Sequence, residues 1–189
     1  VCRVVRVNIR SVLRPHKEGK ALMLSLYNVR GTSDAIVTPL IGRDYFSNLV
    51  HFLWNAERSI KFTCFQSSSK AKKPVSKTGR VVQQLRMAKA RGVNVRAVVN
   101  FPREGAQLHA ANVDLMEVLM DYHIPFRLGR PDDTMHAKFF LIDHRLLIVG
   151  SHNLTDRGLW DNYEASIAID STYSAATYAA YFDWLWMRG

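Results

Sequence analysis

The chain has 189 residues, 26 Lys plus Arg against 16 Asp plus Glu, and 48% hydrophobic residues. The apolar fraction excludes a disordered tail protein, and the length suits a single domain over residues 1–189 with a real core. The formal charge of +10 implies a polyanionic partner.

In chain order, Val4–Ile9 reads as a strand with interleaved arginines, followed by Ala21–Val29 and Ala35–Ile41. Residues 1–34 are therefore read as an N-terminal strand extension. Asp44 is placed as the cap of a helix with Phe46, Leu49, Val50 and Leu53 on one stripe. Ser59–Gln66 alternates as a strand, and a loop with Lys70, Lys72, Lys73 and Lys77 and no acidic residue follows. A second helix carries Val81, Val82, Leu85 and Ala88, with Gly92 where a C-terminal cap belongs. Val93–Asn100 is a strand, and Asn112 is taken to open a third helix that ends before Pro125. Strands are expected at Phe126–Leu128, His136–Asp143, Leu146–Val149 and Glu164–Ile169, and a last helix over 174–187. This alternation predicts an α/β domain: a mixed β-sheet flanked by helices on both faces.

The charge is uneven. Residues 1–95 hold 18 basic and 4 acidic side chains, and residues 96–189 hold 8 and 12. Cys2 and Cys64 make neither a disulfide framework nor a zinc pattern. No apolar run reaches the roughly 18 residues of a membrane span, so no integral membrane association is expected. The chain starts at Val1 rather than Met, as a processed or trimmed product would. Cytoplasmic location is expected, or periplasmic or secreted if a leader was removed.

The chemistry-bearing stretch runs from Met135 to Ile169. His136 and Lys138 are two apart, so in a strand they leave the same face, whereas Asp143 at odd separations falls on the other. Gly150-Ser151-His152-Asn153 follows the next strand, and Glu164 opens the one after. These residues offer a nucleophilic imidazole, a fixed cation, a hydroxyl, an amide donor and a carboxylate. Such a set suits phosphoryl transfer from a phosphodiester. The imidazole attacks phosphorus to give a phosphohistidine, and Lys138 and Asn153 bind the non-bridging oxygens. Glu164 would orient the imidazole through its second nitrogen. His144 and His152 have no metal partner at suitable spacing and read as surface or supporting residues.

His136-x-Lys138-x4-Asp143, followed by Gly150-Ser151-x-Asn153 and Asn162-x-Glu164, resembles the HKD motif of the phospholipase D superfamily. The resemblance implies that superfamily's half-barrel α/β fold, with His136 as nucleophile. It makes Lys138 and Asn153 the phosphate-binding pair, with Ser151 beside them, Glu164 as the orienting acid and Asp143 as a structural residue. It also implies two such histidines per site. None of His16, His51, His109, His123, His144 and His152 is followed by Lys two positions on. One chain thus carries half a site, and a homodimer is expected to complete it.

The leading expectation is a metal-independent endonuclease on DNA or RNA, needing no cofactor, with Lys70, Lys72, Lys73 and Lys77 contacting nucleic acid. The alternatives are a phosphodiesterase acting on phospholipid of the cardiolipin type, and a non-catalytic nucleic-acid-binding module.

Overall fold

The computed structural model describes residues 35–101 and 107–189. The expected N-terminal strands lie outside the described residues. The described elements are β1 (Ile36–Ile41), α1 (Arg43–Trp54), β2 (Ser59–Cys64), α2 (Lys77–Ala90), β3 (Asn94–Val99) and α3 (Gln107–Asp121). They continue with β4 (Phe126–Leu128), β5 (Phe139–Ile142), β6 (Leu146–Gly150), a π-helical turn (Arg157–Asp161), β7 (Ala165–Asp170) and α4 (Thr172–Arg188).

The strands form one open sheet of seven in the order β1-β7-β6-β5-β2-β3-β4. β2, β3 and β4 run parallel, and the pairings of β1, β7, β6, β5 and β2 are antiparallel, so the sheet is mixed as expected. Its two faces bury separate clusters. On one face Phe62, Val95, Ala97, Phe140 and Ile148 pack against Leu49 and Leu53 of α1, Leu85 of α2 and Leu115 of α3. On the other, Val98, Phe139, Leu141 and Leu147 pack against Ala175 and Phe182 of α4. Burying each large apolar side chain contributes roughly 1.5–3 kcal/mol. β2 is covered on both sides, which is why its alternation is blunted: only Lys61 is less than fully buried.

Three local expectations are corrected. Asp44 lies in the first turn of α1 without capping it; Gly42 is the cap, at φ 52°, where a side chain would be strained. Asn112 lies inside α3, fully buried, and its amide serves tertiary contacts instead of a helix start. The expected strand from His136 begins only at Phe139. There the Thr63 hydroxyl donates to the Ala137 carbonyl at 3.0 Å and accepts the Phe139 N–H at 3.1 Å, standing in for the next ladder rung. His152, expected on the surface or in a supporting place, is buried. Gly92 meets its expectation: at φ 91° it follows α2, with its N–H bonding to the Lys89 carbonyl and that of Val93 to the Ala88 carbonyl.

Candidate active site

The topology gathers the site at one edge of the sheet. β2 and β6 end there and β5 and β7 begin there, because β5 is antiparallel to both β2 and β6, and β7 to β6. His136 and Lys138 approach β5, Ser151 and Asn153 leave β6, and Glu164 precedes β7. Phe65 follows β2 and Gly42 follows β1, so both reach the same edge.

Lys138 Nζ lies 3.2 Å from His136 Nε2 and donates to the His136 carbonyl at 2.9 Å. An ammonium only donates, so Nε2 is the acceptor and the neutral ring carries its proton on Nδ1. Phe65 supports both: its ring meets the imidazole edge-on at 4.3 Å and Lys138 Nζ stands 4.5 Å from its centre. His136 is exposed and Lys138 half-buried. Burial lowers the Lys138 ammonium below the ordinary lysine value, opposed by the negative charge of Glu164. The Cys64 thiol is buried and pushed up to about 12, so near neutrality it is an uncharged donor.

Glu164 is paired differently from expectation. Its carboxylate accepts from the Ser151 hydroxyl and, at 3.1 Å, from the Asn162 amide. His136 is not among its partners. Ser151 Oγ in turn accepts the Ala165 N–H at 3.1 Å, so the hydroxyl is locked between β6 and β7. Asn153 is half-buried, and its Oδ1 is buried with no hydrogen-bond partner. Unpaired buried polar atoms are rare and accompany strain or a ligand site.

Asp143 stands away from this edge, at the opposite end of β5. Its carboxylate accepts backbone N–H groups from Glu57 at 3.0 Å, Arg58 at 2.7 Å and Ser59 at 2.9 Å. It joins the β5–β6 turn to the start of β2.

The lysine loop is largely occupied internally. Lys70 pairs with Asp156 at 3.4 Å, Lys72 pairs with Glu117, and Lys77 lies 3.5 Å from the centre of the Trp160 ring. Lys73 is exposed. Among the described residues no cluster of His, Cys, Asp and Glu could hold a metal ion, and no helix is long and apolar enough to cross a membrane.

Sequence reasoning missed several supports. Asn112 accepts the Ser67 N–H at 2.8 Å and donates to the carbonyls of Phe65 at 3.0 Å and Asn100 at 2.7 Å, fixing the chain beside Phe65. Asp156 accepts from both the N–H and the hydroxyl of Thr78 at 2.9 Å. A Cβ on Gly158 would lie 2.7 Å from the Asn153 carbonyl, so glycine permits the π-helical turn to pack against Asn153. Thr177, Tyr178 and Tyr181 of α4 face His136, Lys138 and Gly150 across a cleft of about 410 Å³. Only the helical spacing of the α4 aromatics hinted at this wall.

A family model described as "Cardiolipin synthase, PLD-like domain" matches residues 49–186. The mitochondrial cardiolipin hydrolase of Homo sapiens is 28% identical over 145 residues, covering 77% of this chain and 52% of that protein. That of Mus musculus is 28% identical over 140 residues, covering 74% and 57%. The chain thus spans about half the length of these curated relatives. Among solved structures, the phospholipase D family member Nuc from Salmonella typhimurium superposes with a TM-score of 0.70 at 19% identity, over 82% of this chain and 97% of that one. NucT from Helicobacter pylori gives 0.61 at 15%, over 80% and 96%.

Proposed function

The chain belongs to the phospholipase D superfamily, a family of phosphodiesterases, and on that premise we propose that it is a metal-independent endonuclease cleaving DNA or RNA. The observation that carries the proposal is the His136–Lys138 contact. It leaves the Nε2 lone pair beside a cation able to draw a phosphate to it.

In the proposed reaction Lys138 and Asn153 hold the non-bridging oxygens, and His136 Nε2 attacks phosphorus as the bond to the leaving oxygen breaks. A second imidazole, protonated on both nitrogens, gives its Nε2 proton to that oxygen, then takes one from the water that splits the P–N bond. The second imidazole is His136 of another copy, related by a twofold axis. Support for such a copy comes from an apolar strip beside the site that no described residue covers. Val37, Pro39 and Ile41 of β1 pair with Ile169, Ile167 and Ala165 of β7 on the sheet face that α4 covers only farther along. Val37 is 54% exposed, Ile41 58% and Ile167 37%. Patches of this kind mark interaction sites.

Glu164 is assigned to holding Ser151, not the imidazole. Asp143 is assigned a structural role. Of the loop lysines, Lys73 is the one we assign to substrate phosphates most directly, since Lys70, Lys72 and Lys77 already have partners. A phospholipid substrate is the second reading, favoured by the half-length similarity to cardiolipin hydrolases and by the apolar side chains lining the α4 cleft. Incubation with plasmid, single-stranded DNA, RNA and cardiolipin vesicles separates them. Cleavage of nucleic acid supports the proposal, and release of phosphatidic acid alone overturns it.

A further inference from the structure

We infer that His152, which stands between Ser151 and Asn153 in the Gly-Ser-x-Asn tetrapeptide, is a positioning residue that locks Ser151, Asn153 and Glu164 into one geometry. The inference uses three contacts. His152 Nε2 is 3.1 Å from the Gly42 carbonyl, Nδ1 is 2.7 Å from Ser166 Oγ, and the ring stacks on Tyr45 at 3.9 Å with planes 8° apart. A carbonyl only accepts, so Nε2 carries the proton. Nδ1 is then the acceptor, and the Ser166 hydroxyl donates to it.

This tautomer is opposite to that of His136, and each is set by its own partners. The anchors of His152 lead straight to the site. The Gly42 N–H donates to the Glu164 carbonyl at 2.9 Å, so the residue whose carbonyl holds His152 also holds the backbone of Glu164. Ser166 sits opposite Gly150, the residue before Ser151, and approaches it so closely that a Cβ there would lie 2.1 Å from Ser166 Oγ. The imidazole therefore ties the β1–α1 corner to the β6–β7 pair from directly between Ser151 and Asn153. It is 3% exposed and reaches no substrate itself. A filler of the same shape would satisfy the packing on Tyr45 but not the two directed bonds, and that difference makes the role testable.

The first test is nitrogen-15 NMR of histidine-labelled protein near neutral pH, on wild type and on His136→Ala. His152 is expected with Nε2 protonated and Nδ1 bare in both. A protonated Nδ1 overturns the inference, and because this reading needs no activity it stands apart from the proposed reaction. The second compares His152→Phe, which keeps the stack, with His152→Gln, whose amide N–H regains the bond to Gly42. On bis(p-nitrophenyl) phosphate, Phe is expected to lower kcat about 10- to 100-fold with KM within about twofold, and Gln to recover most of the loss. Wild-type kcat in the Phe variant, or equal defects in both, overturns the role. Should the Phe variant fail to fold, Ser166→Ala removes the donor to Nδ1 without disturbing the stack, and the same kcat-selective loss is expected. Wild-type protein that cleaves no phosphodiester refutes the proposed function instead. The positioning role is then read from amide exchange at Gly42 and Ala165, expected to be faster in the Phe variant and restored in the Gln variant; unchanged exchange overturns it.

Discussion

The Lys138 ammonium stands 3.2 Å from Nε2 of His136 while donating to the carbonyl of the same residue at 2.9 Å. One side chain thus fixes the tautomer of His136, the proposed nucleophile, and marks where a phosphate oxygen would dock. Lys138→Met is expected to lower kcat/KM by about 100- to 1,000-fold, the scale of removing one charge-stabilising donor. Steady-state kinetics on bis(p-nitrophenyl) phosphate measures it. A loss under tenfold would separate Lys138 from the reaction.

Burial lowers the Lys138 ammonium below the ordinary lysine value of 10.5, so it sheds its proton earlier on the alkaline side. Substrate binding is therefore expected to weaken at a pH below 10.5, seen as a rise in KM across an alkaline profile. Lys138→Arg, whose guanidinium stays charged, should flatten that limb even where its turnover is poor.

The role assigned to Asp143 is stability. Its three backbone donors would lose their acceptor in Asp143→Ala, and a loss of about 2–3 kcal/mol is expected in chemical denaturation. The folded fraction should keep its kcat. A folded, fully stable but inactive variant would move Asp143 into the reaction.

His152 supplies a pH dependence of stability. Burial lowers its basicity in the folded state, outweighing the Gly42 bond and the Glu164 charge, while the unfolded side chain titrates near 6.5. The unfolded chain therefore binds the extra proton first. The stabilisation is complete above about 6.5 and is lost as pH falls through that value towards the lower folded one. The melting temperature should drop across that range more steeply in wild type than in His152→Phe.

The exposed strip on β1 and β7 gives the assembly prediction. Ile167→Glu is expected to convert a dimer to a monomer in sedimentation while keeping the circular dichroism spectrum, and to abolish turnover with it. An active wild-type monomer would contradict the shared site.

Much of this was legible in the sequence, for identifiable reasons. His136, Lys138, Ser151, Asn153 and Glu164 do meet at one sheet edge, because β5, β6 and β7 run antiparallel and their alternate ends coincide. Asp143 does lie apart from the others, but by the length of β5 and not by parity, since neither it nor His136 nor Lys138 falls within that strand. What stayed hidden is side-chain-to-backbone bonding across long sequence separations. Thr63 ending the β5 ladder, Asn112 bridging Phe65 and Asn100, and Glu164 choosing Ser151 over His136 leave no periodic trace. The lysine loop illustrates the same limit. Its charge was visible, but not the Asp156, Glu117 and Trp160 that occupy three of its four cations.

The charge that first implied a polyanion bears on the substrate. If several basic side chains contact phosphates, nucleic-acid affinity should fall with salt at a log–log slope of about −0.9 per contact on B-DNA. Lys73→Ala should reduce that slope by about one contact and leave bis(p-nitrophenyl) phosphate turnover intact. An unchanged slope removes Lys73 from the interface.

The most direct measurement of the central claim is hydrolysis of plasmid and of bis(p-nitrophenyl) phosphate by the purified chain in excess EDTA, beside His136→Ala. Cleavage that persists in EDTA and vanishes in the variant is the predicted result. Strict dependence on added Mg²⁺, or undiminished cleavage by His136→Ala, would contradict it.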